Sequence, residues 1–585
     1  MTFDTLKNSL GRNHVTVVEV DMPACSLVYG NSPCTASVGV TGSTKCYNTF
    51  RTCQDTANYA ATTNTFRFMT QNSSTPIGTN IFPCVVSVTS VPTKIDVNSL
   101  STRATVKVVM TDFPHHDRGV DPYVNDRTFN PMEQGTFWGK FKARNFFFVG
   151  RTIRIKNGYV DPTGFDATFS TDFETREYVI ESVDGVDSAG KVTFTAKDIL
   201  TLANTDKAKA PIASIGKIAV AINDTATTIQ LDTVSGYPTG GGLVRIGDEL
   251  ITYGSIGGSN LHTCVRGTNN TVAASHSIDD DVQLCLQYTA EDVRDIVDDL
   301  LVNYASVSPT YITRAIWDAE SALDLYDLTT IITEPTGVNT LLQELTQQTN
   351  SNLWWDDRQQ QIRLKPIATP LSTDVVKALN ETNIIEKSVK VKDDRKSRLS
   401  RITIYFGTFD FTKNLDEVTN YRNKTVNIDA DSESANEYGQ IKDRVIFSRW
   451  IPTDAIANDL TSRMLIRLVN TPKAVTFEVD AKDGDISTGD IIYFSSREIQ
   501  TATGETDTQL YIITEEKRIG NGERTKYSAS EFNTGLSGVS PVAFLIADNA
   551  QVDYLSASAL ERSTYAFITN SSGLMSNGDD GYKIA

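Results

Sequence analysis

The sequence lacks a long apolar run, and this absence limits where the protein is expected to reside. None of its 585 residues belongs to an uninterrupted apolar stretch of about 18, the length that a membrane-spanning helix needs. The first residues, MTFDTLKNSLGRNH, contain neither an apolar core nor a small-residue cleavage site, so they predict no signal peptide. We therefore expect the chain to fold in a cytoplasm, where structural disulfides are rare.

Basic residues are also scarce. Lys and Arg total 54 against 72 Asp and Glu, which gives a net charge of −18. The densest basic segment is the short stretch 392–401, whereas tight binding to phosphates needs clustered cations that release counterions. The composition therefore disfavours specific nucleic-acid binding. It is compatible with an acidic surface past which DNA slides without adhering.

Familiar catalytic motifs are missing as well. The sequence contains no G-x-S-x-G, no H-E-x-x-H, no Walker A loop and no Rossmann fingerprint. Its many carboxylates single out no catalytic pair without geometry. The sequence therefore predicts a protein that is not an enzyme.

What the sequence does contain is a recurring β pattern. Alternating runs rich in Val, Ile, Thr, Tyr and Phe are separated by Gly, Asn, Asp and Pro, as in residues 103–113 and 151–159. Helical spacing of apolar residues occurs in residues 290–305, 336–350 and 452–470. The pattern predicts a multidomain fold that is mainly β with minor α.

One internal repeat stands out within this pattern. Residues 178–198 read YVIESVDGVDSAGKVTFTAKD, and residues 511–531 read YIITEEKRIGNGERTKYSASE. Both begin with Tyr, cross a Gly-containing turn and end in an acidic residue, and a Gly followed by a strand precedes each. Two ordinary hairpins would explain part of this match. The equal length and the matching flanks favour two copies of one β-domain.

The seven cysteines are few for this length, and four of them lie close together: Cys25, Cys34, Cys46 and Cys53. No C-x-x-C pair and no His accompany them, which disfavours zinc, and cytoplasmic folding disfavours disulfides. Four thiolates can also ligate an iron–sulfur cluster. Spacing alone leaves a metal or cluster, disulfides and unligated thiols open. The remaining Cys84, Cys264 and Cys285 are expected to be free, the last two as buried thiols.

Two further segments are weighed as sites and interpreted as structural. Residues 114–121, PHHDRGVD, could bind a metal, but no third ligand is identified, and we expect a solvated turn. Residues 351–366, SNLWWDDRQQQIRLKP, combine aromatic and acidic residues as sugar-cleaving sites do. The preferred interpretation is a hairpin with Trp354 and Trp355 in the core and DDRQQQ as its turn.

The C-x8-C … C-x6-C arrangement of the four clustered cysteines resembles the iron–sulfur segment of the phage lambda minor tail protein L family. The resemblance implies that Cys25, Cys34, Cys46 and Cys53 ligate an iron–sulfur cluster of the 4Fe-4S type.

A second resemblance covers roughly residues 20–365. GTFWGKFKARNFFFVGRTIRIKNGYV and FETREYVIESVDGVDSAGKVTFTAKDIL are similar to a siphophage baseplate-hub family, and IGDELITY, CVRGT and AASHS to a small β-domain of phage tail-tip proteins.

These resemblances imply a structural role at the tail tip of a long-tailed phage. In such hubs each subunit carries two related tube-like β-domains, and a homotrimer forms a pseudo-sixfold ring that caps the tail tube. The implied partners are a distal tail protein or tail tube protein, the tape-measure protein, and a central fibre or spike protein. The implied location is the tail tip of the virion after assembly in the host cytoplasm, where the ring opens for DNA ejection.

The resemblance and the repeat together predict a domain order. The predicted segments are an N-terminal strand or arm (1–20), a cysteine-rich iron–sulfur segment (21–66), a first tube-like hub β-domain (95–206), an inserted small β-barrel (207–288), an α/β hub segment (289–370), a second tube-like hub β-domain (371–535) and a C-terminal interaction segment (536–585). Two rival functions come from other classes: a tail-associated cell-wall glycan hydrolase and a receptor-binding adhesin.

Overall fold

A computed structural model gives the fold of this chain. It describes residues 3–8, 12, 14–70, 80–95, 101–159, 173–320, 326–368, 370, 374–434, 437–519 and 523–532, together with short pieces beyond residue 553. The chain divides into two compact units, Met1–Phe532 and Asn533–Ala585. The larger unit contains almost all of the described residues and the features considered below.

The first β-domain is a closed barrel of seven strands. The strands are β1 (His14–Cys25), β2 (Ala61–Thr70), β3 (Ile81–Val91), β4 (Thr105–Thr111), β5 (Thr152–Tyr159), β6 (Phe173–Asp184) and β7 (Lys191–Lys197). Their order is β1-β2-β3-β4-β7-β6-β5, and β5 pairs with β1 to close the barrel. β2 and β3 run parallel, and the other neighbours run antiparallel. The barrel thus includes three strands that precede residue 95.

Alternating apolar residues build the interior of this barrel. In β4 every second residue is buried, namely Val106, Val108 and Met110, as expected for a strand with one face toward a core. Two helices belong to this part of the chain, α1 (Phe3–Lys7) and α2 (Phe137–Arg144). α2 adds Phe137, Trp138 and Phe141 to the barrel core. The aromatic cluster in the GTFWGKF segment is therefore part of the barrel core.

The next segment forms two small sheets around one core. Its strands are β8 (Lys209–Ala210), β9 (Thr228–Gln230), β10 (Gly242–Ile246), β11 (Glu249–Tyr253), β12 (Ser255–Gly257), β13 (Asn260–His262) and β14 (Gln283–Leu284). The two sheets have the orders β11-β10-β14 and β12-β13-β9. Ile229, Val244, Ile251 and Leu261 belong to their shared core. This is the region in which the sequence predicts a small barrel.

A helical region follows. Its elements are β15 (Leu286–Asp292), α3 (Val293–Asp299), α4 (Arg314–Asp318), β16 (Asp327–Ile332), β17 (Thr336–Gly337), α5 (Val338–Gln348), β18 (Ser351–Asp356) and β19 (Gln361–Pro366). A single π-helical turn, Leu300–Tyr304, extends α3. The helices predicted at 290–305 and 336–350 are therefore confirmed. The hairpin predicted at 351–366 is also confirmed, with Trp354 and Trp355 buried.

The second β-domain is an open sheet of six strands, with a smaller sheet inserted in the chain. The remaining elements of the larger unit are β20 (Val375–Leu379), β21 (Lys390–Asp393), β22 (Arg401–Thr408), β23 (Tyr421–Ile428), α6 (Ala430–Glu433), β24 (Asp443–Phe447), α7 (Asp454–Leu468), β25 (Lys473–Asp480), β26 (Ile491–Gln500), β27 (Thr506–Ile519) and β28 (Arg524–Glu531). The six-stranded order is β20-β26-β27-β28-β25-β21. The inserted sheet β23-β22-β24 packs against α7, the third predicted helix.

The two β-domains share the order of four strands, in the region that contains the repeat. The order β5-β6-β7-β4 in the barrel matches β26-β27-β28-β25 in the open sheet, and all pairs are antiparallel. The pairing register shifts after Ile180 in β6 and after Ile513 in β27. Each residue lies two positions after the first Tyr of its repeat, so the two copies carry the same irregularity at the same place.

The match extends to the ends of the repeats. The N–H of Gly150 donates to the carbonyl of Ile180 at 2.8 Å, and the N–H of Gly489 donates to that of Ile513 at 2.8 Å. Both glycines have positive φ, 78° and 92°. The two copies therefore share hydrogen bonds and backbone conformation as well as strand order.

The acidic residue at the end of each repeat makes the same type of hydrogen bond in both copies. The carboxylate of Asp198 accepts a hydrogen bond from the N–H of Ala104 at 2.7 Å, and that of Glu531 accepts from the N–H of Lys473 at 2.8 Å. Each carboxylate thus ties the last strand of its copy to the start of the first. Two ordinary hairpins would not share this long-range contact.

The smaller unit is described only in short pieces. Strands β29 (Ala566–Ile568) and β30 (Tyr582–Ile584) pair antiparallel. Most of the C-terminal interaction segment predicted at 536–585 lies outside the described residues. Among the described residues of the whole chain, none of the helices is long and apolar enough to cross a membrane.

Candidate cofactor site

The four clustered cysteines lie on the connection between β1 and β2. Cys25 is the last residue of β1 and pairs with Ala61, the first residue of β2. Residues 26–60 therefore form a long loop whose two ends are held together by the barrel. The loop contains two short 3₁₀ turns, Phe50–Thr52 and Thr56–Asn58, and one isolated β-bridge between Val38 and Gly42. Such irregular structure is what its Gly, Pro, Ser and Thr content predicts.

The loop brings all four thiols to one cavity. Cys25, Cys34, Cys46 and Cys53 line it. The remaining lining residues are Leu27, Tyr29, Ala36, Asn48, Thr49, Gln54 and Tyr59. The space between them measures about 310 Å³, part of which is open to solvent. The cysteines are all unpaired and half-buried, so the structure places four free thiols around one small opening.

Electrostatic effects show how close these thiols are. Burial raises the pKa of the Cys46 thiol, and the charges of Cys53, Cys34 and Cys25 raise this pKa further. Burial likewise raises the pKa of Cys53, with added contributions from Cys25 and Cys34. Four thiolates in this space repel one another, so a positively charged metal centre would have to displace their protons and offset the repulsion.

Backbone hydrogen bonds fix the loop around the cavity. The N–H of Cys25 donates to the carbonyl of Asn48 at 3.0 Å, and Nδ2 of Asn48 donates to the carbonyl of Cys25 at 2.9 Å. The N–H of Asp55 donates to Sγ of Cys53 at 3.4 Å. Such an N–H to sulfur contact is the kind of interaction that supports and tunes a cysteine-ligated centre.

Two arginines from outside the loop hold it against the barrel. The guanidinium of Arg127 donates to the carbonyl oxygens of Lys45 and Cys46, at 2.5 and 3.0 Å. Arg127 and Arg144 both lie over the ring of Tyr47, 3.9 and 4.1 Å from its centroid. These contacts place positive charge beside the thiols, although neither arginine lines the cavity.

Tyr59 lines the same cavity as the thiols and has a buried hydroxyl group. Its oxygen is buried, and within the described part of the chain it has no hydrogen-bond partner. Burial raises the pKa of Tyr59, and the nearby Cys25, Cys53 and Cys46 raise it further. Leaving such a donor unsatisfied costs about 1–3 kcal/mol. An acceptor atom placed within the cavity would remove this cost.

The donor set can be compared with what each kind of centre needs. Among the described residues, no group of three or more His, Cys, Asp or Glu side chains is placed to hold a metal ion. A single zinc ion needs all its sulfur ligands about 2.3 Å from one point. An iron–sulfur cluster spreads its ligands, with one thiolate on each of several irons. Four thiols that line one cavity are the type of donor set that iron–sulfur clusters use.

The other three cysteines lie away from this site. Cys84, Cys264 and Cys285 are buried and unpaired. Burial raises the pKa of Cys84 to about 12, that of Cys264 to about 11 and that of Cys285 to about 12. They are protonated core residues, in agreement with the expectation of free thiols.

The segment 114–121 differs from its prediction as a solvated turn. Asp117 is 2% exposed, and its carboxylate accepts hydrogen bonds from Lys140 at 2.9 Å and Arg144 at 2.7 Å. Both cations lie on α2, so their attraction draws the acidic residue inward and fixes the helix to the turn. The rest of the segment is the predicted turn, with His116, Arg118 and Gly119 exposed. The burial of Asp117 was not predicted because its partners lie more than 20 residues further along the chain.

A second polar centre joins three parts of the larger unit. Arg176 of β6 contacts Asp357 in the β18–β19 turn at 3.2 Å and Glu516 of β27 at 2.8 Å. Arg358 contacts Glu516 at 2.8 Å, and Glu174 pairs with both Arg176 and Arg518. We refer to Glu174, Arg176, Asp357, Arg358, Glu516 and Arg518 as the junction network. Three cations face three anions, so its charges balance, and it has the composition of a structural junction.

Sequence reasoning identified the four cysteines but missed several residues around them. Tyr47 and Tyr59 lie close to cysteines in the sequence, and their proximity was the available signal. Arg127 and Arg144 contact the loop from positions 70 or more residues beyond its cysteines. Nothing in their local sequence distinguishes them from the other cations of the chain, so only the fold could reveal them.

Comparisons with known proteins give distant structural similarities. No protein-family model matches the sequence, and no curated protein matches it. A tail protein from Neisseria meningitidis is similar at 11% identity with a TM-score of 0.37, over 77% of this chain and 98% of its own. A 43 kDa tail protein of prophage MuSo2 from Shewanella oneidensis has 10% identity and a TM-score of 0.34, over 76% and 95%.

A third similar structure is a lidless PdpA–VgrG complex, in which one chain matches at 8% identity with a TM-score of 0.36. The match covers 96% of this chain and 72% of that one. All three TM-scores lie below 0.5. The function proposed below therefore rests on the residues and topology of this chain.

Proposed function

We propose that this chain is a structural protein of a phage tail, the hub at the tail tip. The observation that supports the proposal is the duplication of one β-domain within a single chain. The two copies share strand order, a register shift, a positive-φ glycine and a carboxylate contact. The sequence resemblance to baseplate hubs supplies the role that such a duplication serves.

The duplication gives a simple solution to a symmetry mismatch. Three chains with two copies each bring six similar β-domains around one axis, so a homotrimer can meet a sixfold tail tube. Closed cyclic symmetry is the usual arrangement of identical subunits. The proposed ring caps the tube on one side and carries a central fibre or spike on the other.

The remaining partners follow from this position. The ring contacts a distal tail protein or the tail tube protein, and it encloses the end of the tape-measure protein. We expect assembly in the host cytoplasm and a final location at the virion tail tip. The net charge of −18 suits a lumen that DNA crosses without adhering, because like charges repel. In this proposal the chain is not an enzyme, and its action is the mechanical opening of the ring.

The stoichiometry of the full-length protein tests the proposal. Multi-angle light scattering should give three times the mass of one chain, and class averages from electron microscopy should show six similar lobes around the axis. A stable monomer or dimer over a wide concentration range would contradict the ring. Release of sugars from purified cell wall, or binding of the isolated protein to host cells, would support the hydrolase or adhesin instead.

We further propose that Cys25, Cys34, Cys46 and Cys53 ligate an iron–sulfur cluster, of the 4Fe-4S type. The support is the shared cavity, its all-thiol donor set and the unsatisfied Tyr59 hydroxyl. When bound, the cluster would supply four metal–thiolate bonds that cross-link the loop. The loop needs such a support because Tyr29 and Ala36 are its buried hydrophobic residues, whereas Val28, Val38, Val40 and Phe50 are exposed.

Protein purified without oxygen tests the cluster directly. The measurement is iron and acid-labile sulfide per chain, together with the visible spectrum. The expected result is about four iron and about four sulfide, with a broad band at about 400 nm. Zinc without sulfide would keep the metal cross-link and remove the cluster. Disulfides among the four cysteines would contradict both.

A further inference from the structure

The hydroxyl of Tyr59 is the polar atom in the cysteine cavity for which the structure provides no acceptor. It is buried, it belongs to the same cavity lining as all four thiols, and it has no hydrogen-bond partner among the described residues. Its ring makes an edge-to-face contact with that of Phe50, 5.1 Å between centroids. A donor held in this way is positioned for an acceptor that enters the cavity.

A second tyrosine in the same cavity provides the contrast. Tyr29 also lines the cavity, but its hydroxyl donates to Oε1 of Gln54 at 2.8 Å. The two side chains thus have the same chemistry and nearly the same surroundings, and they differ in whether the protein itself satisfies the hydroxyl. The unsatisfied hydroxyl is that of Tyr59, and the cavity that Tyr59 lines also contains Cys25, Cys46 and Cys53.

We infer that the hydroxyl of Tyr59 donates a hydrogen bond to a sulfur atom of the iron–sulfur centre held by the four cysteines, and that it thereby sets the reduction potential of this centre. The inference rests on the proposed cofactor and adds a residue that the ligand set does not contain. A hydrogen bond to sulfur stabilises the more negative, reduced state, so it raises the potential. Tyr59 is in this sense a positioning residue and not a ligand.

The test compares three full-length proteins loaded with the centre without oxygen: wild type, Tyr59→Phe and Tyr29→Phe. The potential is measured by a one-electron titration with dithionite as the electron donor. We expect Tyr59→Phe to bind the same amount of iron and sulfide as the wild type, with a reduction potential shifted to lower values. Tyr29→Phe should leave the potential unchanged, since its hydroxyl already has a partner within the protein.

Loss of iron to a chelator provides a second readout. The rate should increase severalfold in Tyr59→Phe and remain at the wild-type level in Tyr29→Phe, provided that both variants show the circular-dichroism melting curve of the wild type. An unchanged potential in Tyr59→Phe, or equal shifts in both variants, would overturn the inference while the cofactor proposal stands. Wild-type protein without iron and sulfide would overturn both, and the metal analysis tells the two failures apart.

Discussion

At the scale of single residues, the environment of each cysteine separates two classes of thiol. Cys84, Cys264 and Cys285 are enclosed by apolar neighbours, and burial holds their pKa values well above the ordinary range. The four loop cysteines are half-buried around a shared opening. Only the four loop thiols are both accessible to a metal from solvent and close to one another, and metal binding requires both.

This difference predicts contrasting effects of two cysteine substitutions. Cys46→Ala should lose most of the iron and should loosen the loop, because it removes one of the four proposed cross-links and the group next to the Arg127 contact. Cys285→Ala should keep the full iron content, since that thiol packs with Leu243, Leu250 and Ile331 in a separate small core. Iron analysis and limited proteolysis of residues 26–60 check both. Equal iron in the two variants would remove Cys46 from the ligand set.

The four cysteines could be singled out from the sequence because they lie within 29 consecutive residues, 25–53. The sequence could not reveal the charges that support them. Arg127, Arg144 and Asp117 act across the fold, and a lone cation or a short acidic turn gives no sign of its partner. Residues whose role depends on long-range contacts are therefore the ones that sequence reasoning missed or misjudged.

At the scale of structural elements, the repeat offers a pair of matched positions. Gly150 and Gly489 precede equivalent strands and both have positive φ. A side chain at Gly150 would meet open space, whereas a Cβ at Gly489 would collide with the ring of Trp354. Both glycines are required by the backbone conformation, but only Gly489 is also required by packing, because Trp354 lies against it.

The pair predicts unequal costs for one substitution. Gly150→Ala should lower the free energy of unfolding by about 1–2 kcal/mol, the cost of a left-handed conformation for an L-residue. Gly489→Ala should cost about 1–3 kcal/mol more, because Trp354 has to move within a packed core. Thermal or denaturant unfolding of both variants measures this difference. Equal losses would mean that the Trp354 ring yields without strain.

Much of the element pattern was predictable, and its limits have a physical cause. Alternation of apolar residues located strands such as β4, and helical spacing located α3, α5 and α7. Alternation does not record which strands become neighbours, so the closure of the barrel by β1, β2 and β3 was not predicted. The repeat was detectable because its copies preserved the Tyr, the Gly turn and the acidic end.

At the scale of the whole molecule, the junction network connects the barrel, the β18–β19 turn and the second sheet. Burial alone would raise the pKa of Glu174, but the charges of Arg518, Arg358 and Arg176 lower it to about 2. The folded pKa thus lies below the unfolded value of about 4.3. The stabilisation from this group is present above about pH 4.3 and is lost as the pH falls toward 2.

Acid unfolding tests this prediction. Over this range the wild type should lose up to about 3 kcal/mol of stability through Glu174. Glu174→Gln should be less stable than the wild type at pH 7, and its stability should depend less on pH between 4.3 and 2. Glu133→Gln, at an exposed position, serves as the control and should follow the wild-type curve. Parallel curves for all three proteins would show that Glu174 does not carry the acid sensitivity.

The closed barrel has a consequence for how neighbouring chains can interact. Every strand of a closed barrel already has two partners, so the first copy offers no free main-chain edge. In the second copy, among the described residues, β20 and β21 each end the sheet with one unpaired side. Of the two copies, the first therefore has no open edge and the second has two. Among the described strands of the two copies, only β20 and β21 can therefore pair edge to edge with a strand of a neighbouring chain.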